Sequence, residues 1–152
     1  MHTYDVTVTT GASPETVWKL LVDAASWPVW STVDSLDTAR SAGLDPGGDD
    51  GVGAVRAFRT GRTVTGERLT EKVAPRLLAY EDAFNASLRD YRARIELEPA
   101  PTGPGTVIHW HGTYRTGPLL RWFMPRHLQK FMQGMAEGLA RHAEACEPDR
   151  DS

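Results

Sequence analysis

The chain has 152 residues, with 17 Lys and Arg against 20 Asp and Glu, which gives a formal net charge of −3 with neutral histidines. Its length predicts one domain with its own core, and its 40% hydrophobic and 24% charged residues are typical of a globular protein. The composition excludes collagen, coiled coil and a disordered chain, and the slightly acidic balance argues against nucleic acid as a partner.

The single cysteine, Cys146, has no partner for an internal disulfide and no neighbouring ligands at zinc-site spacing. No stretch approaches the roughly 18 consecutive apolar residues of a membrane-spanning helix, and the first ten residues alternate instead of forming a signal-peptide core. We therefore expect a soluble, cytoplasmic protein without stable membrane insertion.

The chain begins with one strand and two short helices. Alternation over Thr3–Thr9 predicts a strand with one buried face. Ser13 followed by Pro14 is typical of a helix start, and the apolar spacing after it predicts a helix that ends near residues 23–25. The segment Trp27–Trp30 is interpreted as a second, short helix at a corner of the fold.

Strands and turns dominate the middle of the chain. Residues 41–53 contain five glycines and Pro46 and predict an exposed, poorly ordered connection, and their aspartates miss the spacing of a calcium loop. Around that connection the predicted strands are Val33–Thr38, Val52–Thr60, Thr63–Val73, Leu77–Asn85, Arg89–Glu98 and Thr106–Arg115. Apolar and charged residues alternate along Arg89–Glu98, so the sheet is expected to be antiparallel with one solvated face.

A long helix is predicted at the end of the chain. Apolar residues recur every three or four positions from Leu120 to Ala143, and Pro125 predicts either the start of the helix or a kink, with Arg126–Ala145 helical. One helix offers only a narrow apolar stripe to a broad, aromatic-rich sheet face. We therefore consider two alternatives, a closed core and an enclosed apolar cavity for a small molecule.

Several segments together resemble a known superfamily over nearly the whole chain. They are Ala12–Trp18, Trp27–Trp30, Gly51–Arg56, Glu67 with Glu71, Pro75–Tyr80, and Gly105-Thr106 before Trp110. In this order they resemble the START-like, helix-grip superfamily (SRPBCC, which includes the birch-pollen-allergen-like proteins), and more closely its bacterial polyketide cyclase/dehydrase branch.

The resemblance implies an α+β helix-grip fold. In it a curved antiparallel sheet of six or seven strands, two short helices and one long C-terminal helix enclose a cavity. The expected domain spans residues 1–146, followed by a disordered tail at 147–152. Such a fold hosts enzymes, carriers and regulatory modules alike, so the fold alone does not decide the function.

Candidate site residues follow from the predicted inner face of the sheet and the apolar stripe of the helix. The candidates for a catalytic role are Arg56, Glu67 and Tyr80, where Arg56 would grip a ligand carbonyl or enolate and Glu67 would orient it. The alternatives are a structural ion pair between Arg56 and Glu67 or an arginine exposed at the cavity mouth. The candidates for ligand binding are Trp30, Phe58, Leu69, Phe84, Tyr91, Trp110, Tyr114, Met124, Leu128, Phe131 and Met135.

Histidines offer two further candidates. His109 and His111 flank Trp110 on the last strand, and alternation directs both away from the aromatic face. We expect no third ligand in register with them and hence no metal site. His127 is expected either at the surface or at a cavity mouth.

The resemblance implies a hydrophobic small-molecule ligand and no cofactor. The first functional hypothesis is a polyketide cyclase, aromatase or dehydratase of secondary metabolism that folds its substrate and polarises carbonyls. The second is a non-catalytic carrier or sensor of a lipid, quinone or polyketide, and the third is a partner-binding module. The sequence leaves open whether a reaction is catalysed and whether the chain forms a homodimer.

Overall fold

The computed structural model describes residues 1–147 and contains seven strands and three α-helices in that part of the chain. The strands are β1 (His2–Thr10), β2 (Ser35–Leu36), β3 (Val55–Thr60), β4 (Thr63–Val73), β5 (Leu77–Phe84), β6 (Leu88–Pro99) and β7 (Thr106–Thr116). The helices are α1 (Pro14–Val22), α2 (Trp27–Trp30) and α3 (Met124–Cys146), and a 3₁₀ turn, Ala24–Ser26, joins α1 to α2.

All strand pairs are antiparallel, and the order across the sheet is β1-β7-β6-β5-β4-β3-β2. The strands from β2 to β7 are therefore neighbours in sequence order, and β1 closes the series by pairing with β7. The sheet curves around α3, so the predicted α+β helix-grip fold is confirmed.

The chain enters α1 as predicted. The Ser13 side chain accepts a hydrogen bond from the Thr16 backbone N at 3.3 Å, and Pro14 occupies the first turn. The helix ends at Val22, where Asp23 caps the following 3₁₀ turn by accepting a hydrogen bond from the Ala25 backbone N.

The connection between β2 and β3 differs from the prediction. Strand β2 has only two residues, and β3 begins at Val55 and not at Val52. Asp50 is only 2% exposed, and its carboxylate accepts hydrogen bonds from the backbone N of Ala24 (3.3 Å) and of Asp45 (2.8 Å). The expectation of an exposed, poorly ordered connection is therefore wrong at Asp50, which ties this segment to the α1–α2 corner.

Helix α3 contacts the sheet tightly at one end. Pro125 lies in its first turn, so the proline starts the helix and does not kink it. Toward the C-terminal end, Thr10 Oγ1 donates to the Ala140 carbonyl at 2.8 Å, which fixes α3 against β1. In the N-terminal half of α3, Gln129 hydrogen-bonds the Asp5 backbone of β1, and other side chains share with β3 to β6 the pocket described below.

A bulge changes the face of one predicted pocket residue. The pairing of β4 with β5 shifts between Gly66 and Glu67, so that Glu67 pairs with Asp82 but Gly66 pairs with Phe84. Phe84 thus shares the outer face with Gly66, and the Arg40 guanidinium lies 4.2 Å from the centre of its ring. The expectation that Phe84 faces the helix is wrong because the bulge reverses the alternation.

Among residues 1–147, none of the helices has both the length and the apolar character needed to cross a bilayer. The predicted disordered tail lies outside the described residues except for Glu147, whose carboxylate accepts a hydrogen bond from the Ser13 backbone N at 3.1 Å. The prediction of one domain over residues 1–146 stays a prediction.

Candidate ligand pocket

A pocket of about 250 Å³ lies between the N-terminal half of α3 and the inner face of the sheet. An engineered protein cavity of ~150 Å³ is enough to bind benzene, so this pocket has room for a compact ring-containing ligand. Its apolar lining is formed by Trp27, Val33, Phe58, Leu88, Met124, Leu128, Phe131, Met132 and Met135.

The polar lining of the pocket comes mainly from the sheet. It consists of Thr60, Thr63, Thr65, Glu67, Tyr80, Asp82, Asn85, Ser87 and Tyr91, with His127 from α3. An apolar helix side therefore faces a sheet side that carries two carboxylates, Glu67 and Asp82, and two phenols. A bound ligand would therefore contact apolar side chains on the helix side and hydrogen-bonding groups on the sheet side.

Glu67 and Arg56 face each other across the β3–β4 pair, in which they are directly opposite. The Glu67 Oε2 and Arg56 Nη2 atoms are 3.9 Å apart, which is too long for a hydrogen bond. Oε2 of Glu67 and both Nε and Nη2 of Arg56 are buried without a hydrogen-bond partner among residues 1–147. The remaining Arg56 nitrogen, Nη1, donates to the Leu21 carbonyl at 2.7 Å.

This environment leaves Glu67 titratable near neutral pH. Burial raises the pKa of its carboxyl from the ordinary 4.5 to about 7, and the positive charge of Arg56 opposes that rise only in part. Burial also lowers the pKa of Arg56, although the neighbouring carboxylates counteract the loss. Glu67 can therefore both accept and release a proton at neutral pH.

Three tyrosines and a tryptophan form a hydrogen-bonded chain beside Glu67. The indole N–H of Trp110 donates to the Tyr80 hydroxyl at 3.1 Å, the Tyr80 and Tyr91 hydroxyls are 3.3 Å apart, and Tyr91 also bonds the Tyr4 hydroxyl. Burial raises the pKa of both Tyr80 and Tyr91 well above 10, and nearby negative charge, including that of Glu67, adds to the rise. These phenols stay protonated and act as hydrogen-bond donors.

Trp27 connects the pocket to Arg56. Its ring stacks on Phe58 with centroids 4.9 Å apart, and the Arg56 guanidinium lies 4.6 Å from the ring centre on a cation–π contact. Its indole N–H donates to the Leu21 carbonyl, the same oxygen that accepts from Arg56. Trp27 thus contacts the guanidinium and also lines the pocket, which Arg56 itself does not.

The fourteen predicted site residues fall into three groups. Eight of the fourteen line the pocket: Phe58, Glu67, Tyr80, Tyr91, Met124, Leu128, Phe131 and Met135. Five are buried around it without lining it, namely Trp30, Arg56, Leu69, Trp110 and Tyr114, and Phe84 lies on the outer face. Arg56 therefore neighbours two lining residues, Glu67 and Trp27, and does not itself line the pocket.

Sequence reasoning missed several lining residues that the patterns could have identified. Thr63 and Thr65 alternate in phase with Glu67, and Asp82 alternates in phase with Tyr80. Met132 follows Leu128 by four residues on the same helix face. No comparable signal singles out Trp27, because its position depends on the corner between α1 and α2.

On the outer face of the sheet, the prediction about a third ligand beside His109 and His111 needs correction. His109 and His111 point away from the pocket, as the alternation predicts, but Glu96 of β6 pairs directly with His109 of β7. Ligand atoms of these three residues all lie within 4.8 Å of one another. The expectation that no third ligand falls in register with the two histidines is therefore wrong.

Solved structures place this architecture in the START-like, helix-grip class. The protein XoxI from Bacillus cereus aligns with a TM-score of 0.77 at 18% identity and covers 98% of this chain and 100% of its own. A START superfamily protein from Mycobacterium smegmatis aligns with a TM-score of 0.74 at 14% identity, covering 96% of this chain and 99% of that one. At these identities the likeness shows the fold.

The family is shown by the sequence itself. Residues 1–147 match the family model described as "Polyketide cyclase / dehydrase and lipid transport", so the chain belongs to that family. The family and the START-like neighbours together support a fold that binds hydrophobic ligands. A comparison with curated protein sequences gives no significant match.

Proposed function

We propose that this protein binds a hydrophobic, carbonyl-bearing small molecule between α3 and the sheet and acts as a polyketide cyclase, aromatase or dehydratase of secondary metabolism. The observation that carries the proposal is the position of Glu67, a carboxyl with a pKa of about 7, in the wall of an otherwise largely apolar pocket. A general acid–base group works best when its pKa is close to the operating pH.

The proposed chemistry is an intramolecular aldol ring closure. The Glu67 carboxylate takes a proton from a methylene flanked by two carbonyls, and the resulting enolate carbon attacks a third, more distant carbonyl carbon of the same chain. The electron pair of that carbonyl moves to its oxygen, which takes back the proton from Glu67. Loss of water from the product would then give the dehydrated ring.

Tyr80 and Tyr91 supply the polarising hydrogen bonds in this proposal. Because the Tyr80 oxygen already accepts from Trp110, its own proton is directed toward Tyr91 or toward a ligand carbonyl. Donors fixed in a water-poor site stabilise the developing oxyanion more strongly than donors in water do. The apolar side chains of α3 would fold the substrate against these donors.

Arg56 takes a positioning role. Its buried charge lies 3.9 Å from Glu67 Oε2 and stabilises the ionised carboxylate. The pKa of Glu67 is therefore lower than burial alone would make it. It also supports Trp27, which forms part of the pocket wall.

Turnover of a linear poly-β-ketone thioester, followed by mass spectrometry of the cyclised product, tests the proposal. We expect Glu67→Gln and Tyr80→Phe each to lower the rate of cyclisation, with a loss of about 10²–10⁴-fold for Glu67→Gln. Glu71→Gln is the matched control, because Glu71 lies on the same strand but its side chain is 47% exposed and pairs with Arg94. Equal rates for Glu67→Gln and Glu71→Gln would contradict the catalytic role.

The carrier alternative is favoured by the apolar lining that α3 contributes. It predicts ligand binding without turnover, which quenching of tryptophan fluorescence would detect because Trp27 lines the pocket. Trp27→Phe should remove the quenching signal, whereas Trp122→Phe should retain it because Trp122 is 82% exposed. Saturable binding with no product would replace the enzyme by a carrier or sensor.

The remaining parts of the proposal concern location and assembly. We keep a cytoplasmic location, which the lone Cys146 favours.

A structural neighbour, Aha1 from Colwellia psychrerythraea, is described as a dimer; it aligns at 18% identity with a TM-score of 0.73 over 95% of this chain and 97% of its own. A homodimer of the present chain therefore stays a prediction that light scattering can decide.

A further inference from the structure

The face of the sheet opposite the pocket carries a compact cluster of two imidazoles and two carboxylates. His109 and His111 project from β7, Glu96 projects from β6, and Asp5 projects from β1. Because residues two apart on a strand share a face, three neighbouring strands bring these side chains together. The pocket chemistry described above uses none of the four.

Three atoms of the cluster converge on one point. Glu96 Oε2 lies 2.8 Å from His111 Nε2 and 3.4 Å from His109 Nδ1. Zinc bonds of 2.0–2.2 Å in tetrahedral geometry separate ligand atoms by about 3.3–3.6 Å. Rotations of the side chains by small amounts would therefore seat an ion between these three atoms.

Asp5 completes the arrangement from the far side of His109. Its Oδ1 lies 2.9 Å from His109 Nε2, the ring nitrogen that points away from Glu96. A histidine that binds a metal through one ring nitrogen commonly donates the other N–H to a carboxylate, which orients the ring and raises its basicity. Asp5 is in position for that role.

The donor set also indicates which ions fit. Two imidazoles and one carboxylate suit Zn²⁺ and its neighbours Co²⁺, Ni²⁺ and Cu²⁺, whereas Ca²⁺ and Mg²⁺ prefer all-oxygen ligands. The side chains are about one-third exposed (36% for His109, 29% for His111 and 37% for Glu96), so an ion from solvent can reach them. Arg94 approaches Glu96 only at Oε1, at 4.0 Å, and leaves Oε2 to the histidines.

We propose that Glu96, His109 and His111 form a binding site for a divalent transition-metal ion of the zinc type, with Asp5 as the residue that orients His109. The bound ion would link β6 to β7 on the outer face and, through Asp5, engage β1. The site is separate from the proposed pocket chemistry, so it can be tested without a substrate.

Titration of tag-free protein with Zn²⁺ by calorimetry, and with Co²⁺ by visible absorption, tests this proposal. We expect one ion per chain, and more than tenfold weaker binding for each of His109→Ala, His111→Ala and Glu96→Gln. Asp5→Asn should weaken binding by about tenfold, as is common for a carboxylate that orients a metal-bound histidine. His142→Ala is the control, since His142 lies on α3 outside this cluster.

Circular dichroism establishes that each variant is folded before its affinity is compared. The absence of saturable binding by the wild-type chain would overturn the proposal. Equal affinity of the wild type and the doubly substituted variant His109→Ala/His111→Ala would overturn it as well. Wild-type affinity in Asp5→Asn would overturn the orienting role of Asp5.

Discussion

The raised pKa of Glu67 depends on its distance from Arg56, which is slightly too long for a hydrogen bond. A carboxylate in direct hydrogen-bonded contact with a guanidinium is held ionised and has a pKa below its ordinary value. Here the closest charged atoms of Glu67 and Arg56 are 3.9 Å apart, so burial outweighs the attraction and the pKa of Glu67 rises to about 7. The same spacing leaves Oε2 unpaired beside the pocket.

The raised pKa of Glu67 predicts a specific pH dependence of stability. Between about pH 4.5 and 7 the folded chain holds a proton on Glu67 that the unfolded chain has released, so this group's contribution to stability falls as the pH rises. Glu67→Gln removes that contribution because an amide does not titrate. We expect the free energy of unfolding of the variant, relative to wild type, to increase by about 1–3 kcal/mol from pH 5 to pH 8.

Denaturant unfolding of both proteins at several pH values measures that difference. The comparison cancels the titration of every group that the two proteins share. Glu71→Gln serves again as the control and should show no such pH-dependent gain. A difference between Glu67→Gln and wild type that stays constant with pH would show that Glu67 is ionised throughout this range.

At the scale of single elements, alanine substitutions at two glycines of α3 are expected to change stability in opposite directions. A Cβ at Gly138 would lie 2.1 Å from the Trp30 carbonyl oxygen, whereas a Cβ at Gly134 would meet no atom within 4 Å. Gly134→Ala should therefore stabilise the protein by about 0.5–1 kcal/mol through helix propensity. Gly138→Ala should destabilise it by about 1–3 kcal/mol, since α3 must move away from α2.

Thermal unfolding of the two variants measures the contrast. Because the substitution and the helix are the same in both, the difference isolates the close approach of α3 to Trp30. Equal stabilisation by Gly134→Ala and Gly138→Ala would contradict this packing.

Regular elements were predictable where side-chain periodicity was unbroken. The alternation along β6 and β7 and the three-to-four spacing of α3 each follow from burial of one face, and both were confirmed. Phe84 was misplaced because a bulge changes the phase of β5, and the sequence around it carries no marker of that irregularity. The buried Asp50 was missed for a similar reason, because one of its two partners, the Ala24 backbone N, lies at a distant helix corner.

The candidate pocket was predictable in part. Tyr80 and Glu67 were identified because strand alternation places them on the predicted inner face of the sheet, which sets the face of a side chain but not its distance from a ligand. Arg56 also faces inward but does not line the pocket, and its packing on Trp27 is a tertiary contact without a local sequence signal. Strand alternation therefore predicts which face of the sheet a side chain occupies better than it predicts which side chains line the pocket.

At the scale of the whole molecule, α3 closes the fold at one end and leaves space at the other. Thr10 Oγ1 donates to the Ala140 carbonyl and the Gly11 backbone N donates to Glu144 Oε1, and these two hydrogen bonds fix the C-terminal end of α3 against the end of β1. The N-terminal half lies over a broader part of the sheet, where its side chains and those of the strands do not meet completely. Space of this kind costs stability, because lining atoms lose the packing partners that a filled core provides.

The stability cost of this unfilled space predicts that a Leu→Phe substitution has different effects on stability at two positions of α3. Leu128 lines the pocket, and Leu139 is fully buried in closely packed core. Leu139→Phe should destabilise the protein by about 1–3 kcal/mol because the larger ring overpacks the core. Leu128→Phe should leave stability unchanged or raise it by up to about 1 kcal/mol, because the added atoms enter existing space.

Ligand affinity should show the opposite order. Leu128→Phe takes up part of the 250 Å³ pocket, so we expect it to weaken binding of a hydrophobic probe more than tenfold, whereas Leu139→Phe should retain binding where it folds. Chemical denaturation and fluorescence titration of the same two preparations measure both quantities. If Leu128→Phe is destabilised as strongly as Leu139→Phe, the helix and the sheet are in contact at this end, and the function must be sought outside the pocket.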